Sequence, residues 1–396
     1  MTAPTLEEAL AHHRAGRLQE AEAIYRARLE ADPADADALH WLGVLASQCG
    51  QQDLALELIE RALARRRGDP EILNNRGNVL NALGRHADAE GAFRRALTMA
   101  PSFTEAHYNL GHALKAQAKH EAAVEAYDRA LQLNPDFVAA HYNRGLAQRA
   151  LGRNEDAARS FRRCLELDPA DGSGARLALA ALGEAAAPDR ADPAFVRGLY
   201  DHYAGNFDAH LVERLAYRAP EIIAEALTSH WPALPPKPSA LDLGCGTGLA
   251  GVPLKPHLGQ LSGVDVSPAM IARAAERGIY DALDIADLTA FLERPGPAFD
   301  LVIAADVLIY FGDLAPVMCG VARRLARPGR FVFTTEDAGP ERIKLHQGLR
   351  YAHSAEYLRE VLSTAGLGSL SMQPTATRRE DDRPVAGWIV VAGQEK

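Results

Sequence analysis

Residues 239–251 read SALDLGCGTGLAG, and this stretch decides the fold of the second half of the chain. The run ALDL has the pattern of a short buried strand. Gly244, Gly246 and Gly248 follow it at once. Glycines at this point remove side chains, so a ligand can lie against the backbone at the C-terminal end of the strand. The stretch therefore predicts a cofactor loop between the first strand of a parallel sheet and the next element.

The spacing and charge of this loop distinguish between two classes of cofactor. A dinucleotide loop has the pattern G-x-G-x-x-G, but Leu249 stands where the third glycine is needed. Asp242 places a carboxylate two residues ahead of the glycines, which suits a cation and would repel a pyrophosphate. Asp265 ends the second predicted strand, where its two oxygens can accept both hydroxyls of a ribose. The combination favours S-adenosylmethionine, which carries an ammonium and a sulfonium but no phosphate.

Strand and helix patterns alternate from Ser239 onward. Short apolar runs such as LSGVDV, FDLVIAAD and RFVFTTE are separated by helical stretches such as SPAMIARAAERG. Near the end, LGSLSMQP and GWIVVAG predict a final hairpin. This alternation is typical of a parallel sheet covered on both faces by helices. We therefore expect a doubly wound, Rossmann-like α/β domain over 195–396, preceded by a linker at 184–194 that is rich in Ala, Pro and charge.

The first half of the chain repeats every 34 residues. The columns in phase include Gly43, Gly77, Gly111 and Gly145; Gly16, Gly50, Gly84, Ala118 and Gly152; and the large residues Tyr25, Ile59, Phe93, Tyr127 and Phe161. Glycine in the first column lets two helices approach closely, and glycine in the second allows a left-handed turn between them. The period predicts an all-α solenoid of about five helix pairs over 1–183, with a capping helix near 175–182.

These motifs resemble two known families. LHWLGVLASQCG and HYNLGHALKAQA are similar to tetratricopeptide repeats. DLGCGTG, GVDVSPAMIARA and FDLVIAADVLIYF are similar, in order and spacing, to the motifs of class I S-adenosylmethionine-dependent methyltransferases. The closer resemblance is to bacterial predicted methyltransferases that carry such repeats. The expected fold is an all-α tetratricopeptide solenoid followed by an α/β doubly wound class I methyltransferase domain.

The resemblance implies which residues contact the cofactor. Asp242 would order the amino group, often through water, and Asp265 would hold the ribose. Asp287 would read the adenine amino group together with the backbone of Leu288, with Asp284 as a rival. The full implied set is Asp242, Gly244, Cys245, Gly246, Gly248, Asp265, Val266, Met270, Asp287, Leu288, Ala304 and Tyr203.

Methyl transfer from a sulfonium depends mainly on a positioned and desolvated acceptor. A general base is needed only where the acceptor must lose a proton. The candidate bases are Asp306, Tyr310, His353, Tyr203 and His202. Asp306 is favoured because it follows the fourth strand, where acceptors are met, although it could instead cap the next helix. His353 either faces the site, or caps a helix or binds a backbone carbonyl. RREDDRP at 378–384 is interpreted as a solvated hairpin turn rather than a substrate clamp.

Asn75, Asn109 and Asn143 recur at one repeat position, on the helix that lines the concave face in the tetratricopeptide family. Their amides could hold the backbone of an extended peptide, or each could only bridge neighbouring repeats. The bridge is favoured for each asparagine alone. For the groove as a whole, analogy with the family predicts a protein or peptide partner.

Composition excludes several classes of function. The net charge of −9 argues against a general nucleic-acid or membrane-surface binder. The four cysteines form no C-x-x-C pair, so no metal site is expected. No signal peptide or membrane-spanning run is recognisable, which predicts a cytoplasmic protein. The sequence thus favours a methyltransferase with an unknown protein or small-molecule acceptor. The alternatives are an inactive cofactor-binding scaffold that assembles partners through its repeats, and a nicotinamide enzyme.

Overall fold

A computed structural model describes residues 5–205, 207–209, 211, 214–380 and 382–394, without the side chains of His202 and Ala209. The chain divides into two compact units, Met1–Pro169 and Ala170–Lys396. The first unit is entirely helical over its described residues and the second is built around a β-sheet, which confirms the predicted fold class. None of the helices in the described ranges combines the length and hydropathy of a transmembrane span.

The first unit consists of five consecutive helix pairs in its described part. They are α1 (Leu6–Arg14) and α2 (Leu18–Ala31), α3 (Ala36–Gln48) and α4 (Gln52–Arg65), α5 (Pro70–Ala82) and α6 (His86–Met99), α7 (Thr104–Ala116) and α8 (His120–Leu133), and α9 (Val138–Ala150) and α10 (Asn154–Leu167). The first helices of adjacent repeats also contact each other, from α3 to α9. The 34-residue period therefore corresponds to one helix pair.

The two glycine columns have the predicted structural roles. A Cβ atom on Gly77 would lie 2.5 Å from the ring of Phe93, and one on Gly145 would lie 2.6 Å from the ring of Phe161. Since both rings are fully buried, only glycine allows the paired helices to pack this closely. The turn glycines have left-handed backbone, with φ of 73° at Gly84, and Ala118 adopts the same conformation with φ of 56°.

The second unit contains a mixed sheet with helices packed against it. Its helices are α11 (Ala175–Ala181), α12 (Pro193–Tyr203), α13 (Phe207–Ala209), α14 (Ala219–Thr228), α15 (Pro268–Glu276), α16 (Leu288–Glu293), α17 (Ala315–Arg324) and α18 (Ala355–Thr364). Its strands are β1 (Ser239–Leu243), β2 (Gln260–Asp265), β3 (Ala282–Ile285), β4 (Phe299–Ala304), β5 (Leu325–Asp337), β6 (Ile343–Leu345), β7 (Tyr351–His353), β8 (Gly368–Thr375), β9 (Arg379–Glu380), β10 (Arg383–Pro384) and β11 (Gly387–Gln394).

The order of the main strands is β3-β2-β1-β4-β5-β11-β8. The strands from β3 to β5 are parallel, and β11 pairs antiparallel with both β5 and β8. The chain moves outward from β1 through β2 to β3 and then returns to β4 on the other side of β1. Ligands bind beyond the carboxyl ends of the strands at such a reversal. A ligand site is therefore expected at the loops after β1, β2 and β4.

Candidate functional site

A cavity of about 450 Å³ opens at the carboxyl ends of β1, β2 and β4. Apolar and aromatic side chains form most of its wall, and a few charged groups lie among them. The predicted residues that line it are Tyr203, Gly244, Cys245, Gly246, Asp265, Val266, Asp287, Leu288, Asp306 and Tyr310. Concave, largely apolar pockets with a few placed polar groups are the usual form of cofactor sites. This cavity is therefore the candidate site.

The loop after β1 requires glycine for conformation and for space. Gly244, Gly246 and Gly248 all have left-handed backbone, with φ of 65°, 55° and 92°. A Cβ atom on Gly244 would lie 2.4 Å from Val307, and one on Gly248 would lie 2.8 Å from the ring of Tyr280. A Cβ atom on Gly246 would instead have open space around it, with its nearest neighbour 3.9 Å away on Phe207. The loop thus presents bare backbone to the cavity at Gly246.

Asp242 lies behind the cavity wall, fully buried in the middle of the sheet. One carboxylate oxygen accepts a hydrogen bond of 2.7 Å from the hydroxyl of Tyr280. The other oxygen has no hydrogen-bond partner among the described residues. Burial, with Asp265 nearby, raises the pKa of Asp242 to about 7. A buried acceptor without a donor is expensive, so this oxygen favours a bound donor or cation.

Asp265 stands at the end of β2 and faces the cavity. Its oxygens accept backbone N–H groups from Gly246 at 2.9 Å and from Ser267 at 2.8 Å. These bonds fix the carboxylate against the glycine loop, and each oxygen retains capacity for a further donor. Burial raises the pKa of Asp265, although the backbone hydrogen bonds oppose this effect. The carboxylate therefore keeps the acceptor capacity that the predicted contact with a ribose diol requires.

Asp287 begins α16 and caps it by accepting the N–H of Ala290 at 3.1 Å. Arg190, from the segment ahead of α12, donates to both carboxylate oxygens at 3.1 and 3.0 Å. Burial raises the pKa of Asp287, but the hydrogen bonds from Thr289, Ala290 and Arg190 outweigh it, so the pKa is lowered overall. Asp287 is therefore ionised and already paired. Its rival Asp284 is exposed and pairs with Arg294 at 3.4 Å.

The segment around α12 forms one side of the cavity and is attached to the sheet at several points. Gly312 donates its N–H to the carbonyl of Asp189 at 2.7 Å. Asp201 accepts the hydroxyl of Ser267 at 2.6 Å, and Asp208 accepts the hydroxyl of Thr247 at 2.5 Å. These bonds link the segment to both cofactor loops. The side chain of His202, a candidate base, lies outside the described residues.

Asp306 occupies the end of the cavity beyond β4 and has left-handed backbone, with φ of 49°. Its carboxylate accepts hydroxyls from Thr334 at 2.7 Å and from Thr377 at 2.9 Å, and it pairs with Arg378 at 3.4 Å. The carboxylate therefore caps no helix. A conformation of this kind in a non-glycine residue is costly and is concentrated at functional sites.

The hydroxyls of Tyr310 and Tyr200 form a hydrogen bond of 2.8 Å on the cavity wall. Burial raises the pKa of both phenols, and each remains protonated at neutral pH. Tyr310 can therefore orient an acceptor by hydrogen bonding but cannot act readily as a base.

Besides Asp242, four of the expected site residues lie away from the cavity lining: His353, Met270, Ala304 and Gly248. His353 is fully buried away from the cavity, where it accepts from Thr335 at 2.8 Å and donates to the carbonyl of Phe311 at 2.8 Å. Burial lowers its pKa to about 4, so it stays neutral and holds backbone instead of meeting an acceptor. Met270 and Ala304 are fully buried in the core and contribute no surface to the cavity. Gly248, also behind the wall, serves the turn.

The sequence missed a buried ionic cluster at the Asp306 end of the cavity. Arg378 is only 6% exposed and pairs with Glu336, while Arg350 donates to Glu336 at 2.9 Å. Glu380 accepts from Arg378 at 3.1 Å. The interpretation of 378–384 as a solvated turn is thus wrong for Arg378. No local pattern marks this cluster, because its members come from strands and loops that are separated in the sequence.

The asparagine column of the repeats forms a ladder between neighbours. Asn75 bonds to His40 at 2.8 Å, Asn109 donates to Asn74 at 3.0 Å, and Asn143 donates to Tyr108 at 3.2 Å. Each bond spans 35 residues of sequence. Each asparagine alone therefore bridges two repeats, which was the favoured reading.

Both halves of the chain match families of known proteins, and these matches agree with the helical repeats and the α/β fold described above. A family described as "Methyltransferase domain" matches residues 241–331, and families described as "Tetratricopeptide repeat" match residues 12–75, 50–102 and 108–172. The predicted resemblance is confirmed.

Individual relatives match parts of the chain. Methyltransferase-like protein 27 of Homo sapiens is 32% identical over 154 residues, which are 38% of this chain and 61% of the relative. Nodulation protein S of Rhizobium tropici is 33% identical over 114 residues, 27% of this chain and 47% of the relative. The crystal structure of MamA covers 41% of this chain and 94% of MamA, at 24% identity and a TM-score of 0.38. The chain thus spans less than two thirds of the length of methyltransferase-like protein 27 and of nodulation protein S.

Proposed function

We propose that the chain is an S-adenosylmethionine-dependent methyltransferase, with its catalytic domain at 195–396 and a partner-binding repeat array at 1–183. One observation carries the proposal. Asp242 and Asp265 lie behind and beside the glycine loop, and neither has a cationic partner among the described residues. The other acids at the cavity, Asp287, Asp306 and Glu380, are paired with arginines.

Two uncompensated carboxylates favour a ligand with positive charge and no phosphate. S-adenosylmethionine meets both conditions, while a dinucleotide would bring its pyrophosphate toward Asp242. In this proposal Asp265 accepts the ribose hydroxyls and bare backbone at Gly246 lies against the cofactor. When bound, the cofactor supplies an activated methyl group. The protein's own contribution is to hold the acceptor near Asp306 and Tyr310 and to exclude water from the cavity.

The acceptor is a protein or a small molecule, and we propose that the first helices of the repeats bind a protein or peptide partner. The asparagine ladder supports this, since the bonds that bridge the repeats use the amide nitrogens of Asn75 and Asn109, and the amide oxygens of these residues can accept a further donor.

The test is calorimetric titration of the full-length chain with S-adenosylhomocysteine and, separately, with NAD. Asp265→Asn should weaken binding of the first ligand by about 10- to 100-fold, because it removes charge-assisted hydrogen bonds of about 1.5–3 kcal/mol. Asp284→Asn is the matched control, since Asp284 is exposed and outside the cavity, and it should bind like the parent. Tighter binding of NAD would overturn the proposal.

A second measurement addresses turnover. Labelled S-adenosylmethionine is incubated with the chain and a cell lysate, and transfer of label to macromolecules or small molecules is followed. Tight cofactor binding with no transferred label, under conditions that label an active control enzyme, would favour the scaffold alternative over the enzyme.

A further inference from the structure

Tyr280 lies in the loop between α15 and β3, behind the candidate cavity, and its partly buried ring fills a space that three glycines leave open. A Cβ atom on Gly248 would lie 2.8 Å from this ring, and one on Gly263 in β2 would lie at the same distance of 2.8 Å. A Cβ atom on Gly251, in the turn after the glycine loop, would lie 3.0 Å from the Tyr280 hydroxyl. None of these glycines lines the cavity, so their lack of side chains makes room for Tyr280.

The ring packed in this way brings one hydrogen-bond donor to Asp242. The Tyr280 hydroxyl donates to one carboxylate oxygen at 2.7 Å, while the other oxygen is buried and has no partner in the described part of the chain. Burial, with Asp242 nearby, raises the pKa of Tyr280, so the phenol stays protonated and acts as the donor. Tyr280 therefore determines which oxygen of Asp242 is occupied and which is left for a ligand.

The same hydrogen bond affects the ionisation of Asp242. Burial is the largest effect and raises the pKa of Asp242 to about 7, while the hydrogen bond from Tyr280 opposes it. The other titratable groups near this pair are Asp265 on β2, Cys245 in the glycine loop, Arg277 after α15 and Tyr217 ahead of α14. Among the described residues, Tyr280 is the one whose side chain donates to Asp242, so loss of its hydroxyl would favour the protonated acid.

We propose that Tyr280 is a positioning residue for the cofactor, whose hydroxyl holds Asp242 so that its second oxygen accepts the ammonium group of the amino-acid moiety. This inference rests on the proposed S-adenosylmethionine-dependent function. Tyr280 does not line the cavity and acts through Asp242. A buried oxygen without a donor favours a bound donor, either directly or through one water molecule. The ionised carboxylate attracts an ammonium group, and the protonated acid does not.

The test compares two ligands of the full-length chain by calorimetric titration between about pH 6 and about pH 8.5, on either side of the Asp242 pKa. S-adenosylhomocysteine carries the ammonium group, whereas 5′-methylthioadenosine has the same adenine, ribose and sulfur but no amino-acid moiety. Binding of S-adenosylhomocysteine to the parent should tighten by about tenfold from pH 6 to pH 8, as Asp242 ionises. Binding of 5′-methylthioadenosine should not follow Asp242, and effects of Asp265 on the ribose are common to both ligands.

Tyr280→Phe keeps the ring in place and removes only the hydroxyl. It should weaken S-adenosylhomocysteine binding at pH 7 by about five- to tenfold, move the midpoint of its pH dependence upward by about one unit, and leave 5′-methylthioadenosine binding unchanged. Gly251→Ala provides a second route, because its methyl group would crowd the Tyr280 hydroxyl, and its effects should have the same direction. Tyr357→Phe is the matched control and should bind both ligands like the parent, since this buried hydroxyl donates to Asp313 at 3.1 Å away from the cavity.

Asp242→Asn tests whether the effect of Tyr280 passes through Asp242. With a neutral side chain at this position, the pH dependence that is specific to S-adenosylhomocysteine should disappear. Adding Tyr280→Phe to Asp242→Asn should then change the affinity by less than about twofold, because the two residues act as one unit.

Four results would overturn the proposed role of Tyr280. They are an equal loss of both ligands in Tyr280→Phe, which would assign the hydroxyl a general structural role; an unmoved pH midpoint; an equal loss in the Tyr357→Phe control; and fully additive effects of Tyr280→Phe and Asp242→Asn. If the parent fails to bind S-adenosylhomocysteine at every pH, the proposed methyltransferase function fails. If the parent binds it and Tyr280→Phe binds it equally well at every pH, only the role of Tyr280 fails.

Discussion

Replacing Asp242 by asparagine should change how stability depends on pH. Burial raises the pKa of this carboxyl from 3.8 to about 7, so the folded state binds its proton more tightly than the unfolded state does. The contribution of Asp242 to the free energy of unfolding is therefore largest in acid. It falls as the pH rises from about 4 to about 7, and it is constant above that.

The size of the effect follows from the shift. One pKa unit corresponds to about 1.36 kcal/mol, and about two units of the shift lie above pH 5. Between pH 5 and pH 8 the parent should thus lose about 3 kcal/mol through this group, to the order of magnitude, and Asp242→Asn should lose none of it. The asparagine also changes the hydrogen bond with Tyr280, but that cost is the same at both pH values and cancels from the difference.

The assay is urea unfolding followed by tryptophan fluorescence at pH 5, 6, 7 and 8. Trp231 and Trp388 report on the second unit, and Trp41→Phe in both proteins removes the signal of the first. The difference between variant and parent should move by about 3 kcal/mol in favour of the variant as the pH rises. Parallel stability profiles for the two proteins would refute the reasoning, since they would mean that Asp242 titrates alike in the folded and unfolded states.

Further substitutions test separate parts of the structure. Gly77→Ala should lower the free energy of unfolding by about 1–3 kcal/mol, because the added methyl group would overpack against a buried ring. Gly91 is exposed in a helix and has no neighbour within 4 Å, so Gly91→Ala should raise the free energy of unfolding by about 1 kcal/mol. Urea unfolding followed by Trp41 fluorescence would show whether the two effects have opposite signs. Ala118→Gly should raise the free energy of unfolding by about 0.5 kcal/mol, because glycine relieves the left-handed conformation by more than it adds entropy to the unfolded chain. An unchanged or lower free energy of unfolding in the same assay would contradict this. Arg190→Gln should speed hydrogen exchange in α12, since the loss of its ion pair should lower the local free energy of opening by up to about 1 kcal/mol, a small value because the pair is partly exposed. Unchanged exchange in α12 would show that this ion pair does not hold the segment.

The fold could be predicted because its signals are local. The helix pairs follow from glycines and large residues that recur every 34 positions, and each column has one steric role in every repeat. The first strands of the sheet follow from short apolar runs, and the glycine loop marks the point at which β1 ends. Asp265 and Asp287 could be located for the same reason, since each directly follows or caps an element whose sequence pattern is clear.

The rest of the site depends on contacts between distant segments. His353 is buried because β7 pairs with β5, a pairing that the sequence around it does not encode. Arg378 meets Asp306 and Glu336 only after β11 returns beside β5 and brings the preceding loop to the sheet. Met270 lies on the buried face of α15, and in a short helix a shift of one position decides whether a side chain meets the core or the site.

The asparagine ladder has a consequence for the way the array responds to damage. Each hydrogen bond of the ladder joins a repeat only to the one before it, so the stability of the array includes a sum of couplings between adjacent repeats. At the corresponding position of the second repeat stands Trp41, which packs against the rings of His13 and His40. The amino-terminal junction is thus held by these ring contacts together with a hydrogen bond of 2.9 Å between His13 and the amide oxygen of Gln48. Opening of the array would begin at whichever junction has the weakest coupling, and loss of one rung would loosen two repeats while the others stay folded.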